Sequence, residues 1–129
     1  MQHQAEFLAN GNILLLDNRG GGGKDGGFDG SQVIEIDPST KEEVWRYNGT
    51  PDKPFFTHRL GYNQRLPNGN TLITESTQGR LLEVSPDGKI VWEYVSPYRT
   101  GENGELVATL MGAQRISLSE LPFLADLPD

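Results

Sequence analysis

The sequence predicts an all-β protein built from repeated four-stranded antiparallel units, and three observations carry that prediction. Leu8-Ala9-Asn10-Gly11-Asn12-Ile13-Leu14-Leu15 returns as Leu66-Pro67-Asn68-Gly69-Asn70-Thr71-Leu72-Ile73. Val33-Ile34-Glu35-Ile36-Asp37-Pro38 returns as Leu81-Leu82-Glu83-Val84-Ser85-Pro86, and Lys41-Glu42-Glu43-Val44-Trp45-Arg46-Tyr47 is answered by Lys89-Ile90-Val91-Trp92-Glu93-Tyr94. The composition adds 16 glycines and 8 prolines in 129 residues, enough turn formers to break the chain into many short strands.

In order along the chain, Gln4–Leu8 and Asn12–Asp17 flank Asn10-Gly11, a short-range hairpin signal. The aliphatic run of the second strand suits burial on both faces. Gln32–Asp37 alternates in character, Pro38-Ser39-Thr40-Lys41 turns the chain, and Glu43–Tyr47 alternates again. The second unit repeats the plan with Tyr62–Leu66, Asn70–Glu75, Arg80–Ser85 and Ile90–Val95, with turns at Pro67-Asn68-Gly69 and Pro86-Asp87-Gly88-Lys89. Residues 99–105 read as a polar loop, Leu106–Ile116 as the first strand of a third unit, and Ser119–Asp129 as a packed loop.

A repeat of this size is the mark of propeller blades, whose four-stranded sheets stack radially because none can cover both of its faces alone. The expected architecture is a single partial β-propeller domain: blade one over 1–49 with a Gly-rich insertion at 19–30, blade two over 50–98, and a loop, strand and tail over 99–129. Rings take typically four to eight blades. The chain is therefore expected to be a piece of a longer protein or one protomer of an oligomeric ring, its partners being other blades of a parent chain or copies of itself.

The 11 basic and 18 acidic residues leave a formal charge of −7, with the basic residues scattered, which argues against a nucleic-acid partner. No window approaches the ~18 apolar residues of a membrane span, so no membrane partner is expected either. The N-terminus lacks the basic-then-apolar pattern of a signal peptide. With no cysteine, disulfides and thiolate metal sites are excluded. The Gly20–Gly30 stretch has Asp25 after Lys24 where a phosphate loop needs Ser or Thr, and Asp25 and Asp29 lack EF-hand spacing. No cofactor or metal is expected, and that stretch reads as an insertion between strands.

Gln64-Arg65-Leu66-Pro67-Asn68-Gly69-Asn70-Thr71-Leu72-Ile73, Gly79–Gly88 and Ile90-Val91-Trp92-Glu93-Tyr94-Val95-Ser96-Pro97-Tyr98 together resemble the C-terminal blades of the arylsulfotransferase family, the PAPS-independent sulfotransferases built on a β-propeller. Gln2-His3-Gln4-Ala5-Glu6-Phe7-Leu8 with Leu14-Leu15-Leu16-Asp17-Asn18 resembles that family's "Gln-His-x-Ala … Phe-Asp-Asn" blade, and Ala113-Gln114-Arg115-Ile116 its closing "Ala-x-Arg" strand. Leu16 stands where the family has Phe, and Gln4 where Asp is common. The resemblance implies sulfuryl transfer from a phenolic sulfate ester to a phenol through a sulfated histidine. It also implies a periplasmic or extracellular location.

That chemistry suits its residue types, since a neutral imidazole is a nucleophile near pH 7 and an arginine fork matches a tetrahedral oxyanion. The resemblance makes His3 the candidate sulfate acceptor. His58, in the connection between units, either lines the sulfate pocket or sits at a surface turn. Arg65 and Arg115 each either meet an anion or form an ion pair between blades with Glu75 or Glu83. Trp45 and Trp92, at one position in both copies, are expected to fill the space between blades. Asp37-x-x-Thr40-Lys41-x-x-Val44-Trp45 also resembles the tryptophan-docking repeats of quinoprotein propellers, which implies instead a non-catalytic scaffold or binding module.

Overall fold

Eight strands arrange themselves as the repeat demands, in two antiparallel sheets of sequential order. The computed structural model describes residues 2–18 and 30–124. The first sheet comprises β1 (Gln2–Phe7), β2 (Ile13–Asp17), β3 (Gln32–Asp37) and β4 (Glu42–Tyr47); the second comprises β5 (Tyr62–Arg65), β6 (Thr71–Glu75), β7 (Arg80–Val84) and β8 (Ile90–Val95). A two-stranded ribbon, β9 (Arg99–Thr100) with β10 (Leu106–Val107), and two single 3₁₀ turns at Leu118–Glu120 and Pro122–Leu124 come next. The chain is all-β and its two sheets are propeller-like. The Gly-rich insertion, apart from Gly30, lies outside the described residues.

The hairpin turns are near copies. Leu8 N–H donates to the Asn12 carbonyl and Leu66 N–H to that of Asn70, both at 2.8 Å, while Gly11 and Gly69 close the same turns at φ 89° and 86°. Left-handed backbone of this kind is open to glycine at little cost, and a three-residue loop of this form sets the strand register.

Residues directly opposite in an antiparallel ladder share a face. Leu14 and Leu16 of β2, with their partners Glu35 and Val33, therefore face the second sheet, from which Ile73 and Leu82 face back. Leu14, Leu16, Val33, Tyr47, Phe55, Ile73, Leu82 and Val84 form one buried cluster, so the core is the layer between the sheets, with Phe55 of the connection in it. Gly61, at φ 115°, lets the start of β5 close on Leu16: a Cβ there would lie 2.7 Å from Leu16 Cδ1.

Two expectations are corrected. β2 alternates between buried and half-buried rather than being buried on both faces, whereas β6 is buried along its whole length. The reason is the opposite face of the first sheet, which nothing covers among the described residues: Phe7, opposite Ile13, is 82% exposed. Residues 108–116 do not continue the strand begun at Leu106. That stretch runs beside the second sheet but is held by a backbone bond and side chains: Leu110 N–H donates to the Ser76 carbonyl (3.1 Å), Ala113 N–H to Thr74 Oγ1 (3.0 Å) and Arg115 N–H to Gln64 Oε1 (2.8 Å). With its backbone satisfied this way, no ladder forms.

Candidate functional site

Each Asn-Gly turn feeds a five-residue cluster. In the first sheet Asn10 and Asn12 both donate amide hydrogens to Glu35 Oε1, at 3.2 and 2.7 Å. Arg65, from the second sheet, donates to Glu35 Oε2 at 2.7 Å while its guanidinium lies 5.1 Å from the centre of the Trp45 ring. In the second sheet Asn68 and Asn70 donate to Glu83 Oε1 at 3.4 and 2.6 Å, Arg115 pairs with Glu83 Oε2, and its guanidinium lies 5.7 Å from the Trp92 ring. A second tie runs in parallel: Glu6 Oε1 accepts the Arg65 N–H at 3.0 Å, as Gln64 Oε1 accepts that of Arg115.

These surroundings hold both glutamates ionised. Burial works against the charge of Glu35, but the amides of Asn12 and Asn10 and the Arg65 guanidinium outweigh it and keep its carboxyl below the usual carboxylate range. For Glu83 the Asn70 amide leads, against burial, and Arg115 and Asn68 add to it. The arginines thus meet anions of the protein itself: Arg65 pairs with Glu35 rather than with Glu75 or Glu83, and Arg115 with Glu83. Both also line a groove of about 480 Å³ beside Pro67 and Ser117. Trp45 packs against the core and donates from Nε1 to the Pro86 carbonyl at 2.9 Å, whereas Trp92 is 43% exposed.

The histidines lie at the other end of the sheets. On β1, His3 sits opposite Leu16, just before a bulge in which Gln4 takes φ 46°, and its Nε2 is buried without a hydrogen-bond partner among the described residues. Asn18, just past β2, donates from Nδ2 to the Thr57 and Leu60 carbonyls at 2.8 and 2.7 Å. Ser31 Oγ accepts the Thr57 N–H at 2.9 Å. Glu75 accepts the Phe56 N–H at 2.6 Å and pairs with Arg80, and its burial pushes its carboxyl up despite both. Both sheets thereby grip the connection that carries His58, whose own N–H donates to Thr77 Oγ1 at 3.2 Å while its side chain is exposed near Phe56.

The four candidate residues therefore fall into two groups. His3 and His58 share one end and Arg65 and Arg115 the other, with the length of β5 between, about 10 Å at ~3.3 Å per residue. Sequence reading missed Asn63 of β5, which is 0% exposed and has neither side-chain amide atom hydrogen-bonded among the described residues. The available signal was an asparagine inside a strand, where that residue is depleted. Among the described residues no cluster of three or more His, Asp or Glu is arranged to hold a metal.

Sequential four-stranded antiparallel sheets that share one core layer and repeat one side-chain cluster define a protein of the propeller-repeat class. A family model described as Arylsulfotransferase (ASST) matches residues 1–97, both sheets entire, and the chain belongs to the arylsulfotransferase family. Its function is accordingly arylsulfotransferase-like at the level of the family. Neither a curated protein nor a solved structure gives a match.

Proposed function

We propose that this chain supplies the acceptor histidine for sulfuryl transfer from a phenolic sulfate ester to a phenol, with His3 sulfated midway. The observation that carries the reading is family membership over 1–97, a span that contains His3 on β1. Its position at the end where both sheets grip the 55–60 connection supports the reading, because a nucleophile gains from a fixed mounting. His58 is the second group at that end and is offered as a pocket residue. In this reading Arg65 is a joint between the two sheets and Arg115 a joint between the second sheet and the 108–116 segment, and neither is a ligand of the sulfate. Substrates are small phenolic sulfates and phenols, and the remaining blades come from a longer parent chain or from self-association.

The test is transfer of sulfate from a chromogenic phenyl sulfate to phenol. Loss of transfer in His3→Ala, with the tryptophan near-UV signal intact, supports the assignment; transfer equal to the unmodified protein sinks it. A non-catalytic scaffold is the second reading, favoured by the engagement of both candidate arginines with Glu35 and Glu83. Absence of transfer at every protein concentration, together with a folded signal, supports that reading.

A further inference from the structure

We propose that Asn103 is a site of spontaneous modification, where the side chain closes on the Gly104 nitrogen and hydrolyses to aspartate and isoaspartate, while the two joint turns built on the same Asn-Gly pair are spared. The inference is independent of the sulfuryl-transfer reading.

The chain has four Asn-Gly pairs, at 10–11, 48–49, 68–69 and 103–104. A glycine after asparagine has no side chain to crowd its nitrogen, so by sequence the four are equally open to ring closure. The fold separates them. Closure needs the asparagine Cγ to swing onto the following nitrogen, and that nitrogen to give up its proton. At Asn10, Oδ1 accepts the Asn12 N–H (3.0 Å) and Nδ2 donates to Glu35 (3.2 Å); at Asn68 the same bonds run to Asn70 (3.0 Å) and Glu83 (3.4 Å). The Gly11 and Gly69 N–H groups are committed as well, donating at 2.9 Å to the carbonyls of Leu8 and Leu66. At 48–49 the hindrance is packing: Gly49 is bridged to Pro54, and a Cβ on it would run into the backbone of Phe55, Lys53 and Pro54.

None of these restraints holds at Asn103. The residue is exposed, its own N–H donates to Glu105 Oε2 at 2.9 Å, and its side-chain amide has no hydrogen-bond partner among the described residues. The Gly104 N–H reaches the Gly101 carbonyl only at 3.4 Å, and a Cβ on Gly104 would meet nothing beyond its chain neighbours nearer than Arg99 Cβ at 3.8 Å. In the first step hydroxide takes the Gly104 amide proton and the nitrogen attacks Asn103 Cγ. The N–Cγ bond forms, the Cγ–Nδ2 bond breaks, and the nitrogen leaves as ammonia with a proton from water. Water then opens the cyclic imide at either carbonyl, giving isoaspartate or aspartate. The product adds a carboxylate beside Glu102 and Glu105 and, in the isoaspartyl form, one methylene to the main chain that joins β9 to β10. At Asn10 or Asn68 the same reaction would set a new carboxylate against Glu35 or Glu83 and undo the joint.

Tryptic peptides 1–19, 47–59, 66–80 and 100–115 each hold one of the pairs, so mass spectrometry of the full chain aged in mildly alkaline buffer reads them separately. In the folded protein, amide-to-acid conversion of 100–115 should be at least about tenfold faster than that of 1–19 or 66–80, because two bonds hold each joint amide. In urea the four peptides should convert at comparable rates. Glu35→Ala, folded by its tryptophan near-UV signal, should raise conversion of 1–19 and leave 66–80 unchanged. Equal rates for 100–115 and the joint peptides in the folded chain overturn the proposal, and so does a difference that persists undiminished in urea, since local sequence rather than the fold would then set it. Unchanged conversion of 1–19 in folded Glu35→Ala also overturns it. The comparison of the unsubstituted chain with and without urea stands even if Glu35→Ala fails to fold.

Discussion

Glu35 and Glu83 are nearly buried carboxylates, and each is held by two asparagine amides and one arginine. Removing one partner of such a group costs more than the pair contributes net, because the charge left behind has lost its compensation. The two sites differ on the arginine side: the Arg65 side chain is 22% exposed and that of Arg115 is 45%. Arg65→Ala should therefore destabilise by about 2 kcal/mol and Arg115→Ala by less than about 1 kcal/mol, since water can reach the second site. Urea midpoints of the two variants measure the difference. At this scale the sequence was informative wherever a residue recurred: both tryptophans, both Asn-Gly-Asn turns and both glutamates were visible as pairs. Asn63 was not, because its opposite number in the first sheet is Ala5 and no repetition marked it. The partner of Arg65 was misjudged because Glu35 becomes its neighbour only when two sheets stack.

Among the elements, β3 and β8 begin and end where alternation of side chains indicated, and the remaining strands of the two sheets differ from expectation by one or two residues. The departure at 108–116 has a different origin. Periodicity reports which face of a segment is apolar, not which groups satisfy its backbone, and here Ser76, Thr74 and Gln64 do so instead of a strand. The approach of β5 to β2 depends on Gly61. Gly61→Ala should cost about 2–3 kcal/mol, combining left-handed strain with a clash against Leu16. A paired Leu16→Ala change should recover part of that loss, and the double-mutant cycle by denaturation is the check.

For the molecule as a whole, acid should be more damaging than base. Glu35 and Glu83 have folded-state pKa values depressed below 4.5, so the stability that they contribute is present above that pH and is lost as pH falls through the folded values. Glu75 acts in the opposite sense: its folded pKa is raised by burial, and its contribution declines as pH climbs past 4.5. The Glu35→Gln/Glu83→Gln double variant should have a flatter acid limb than the parent in a urea-midpoint-against-pH series, and an unchanged limb would contradict the assignment. Architecture and family were legible from the repeats because each unit restates the same physical problem. The grouping of the candidate site residues was not, because it depends on which end of a strand each one occupies.

The clusters also run one way along the chain. Glu35 receives its arginine from 30 residues downstream and Glu83 from 32, and Glu6 and Gln64 likewise tie to residues that come later. During synthesis on the ribosome, the first sheet therefore emerges with its carboxylate unclasped and waits for β5. The second waits in the same way for Arg115, so each sheet is completed by a segment synthesised after it, and a nascent chain halted before residue 65 would expose an incomplete joint to the cell's quality control.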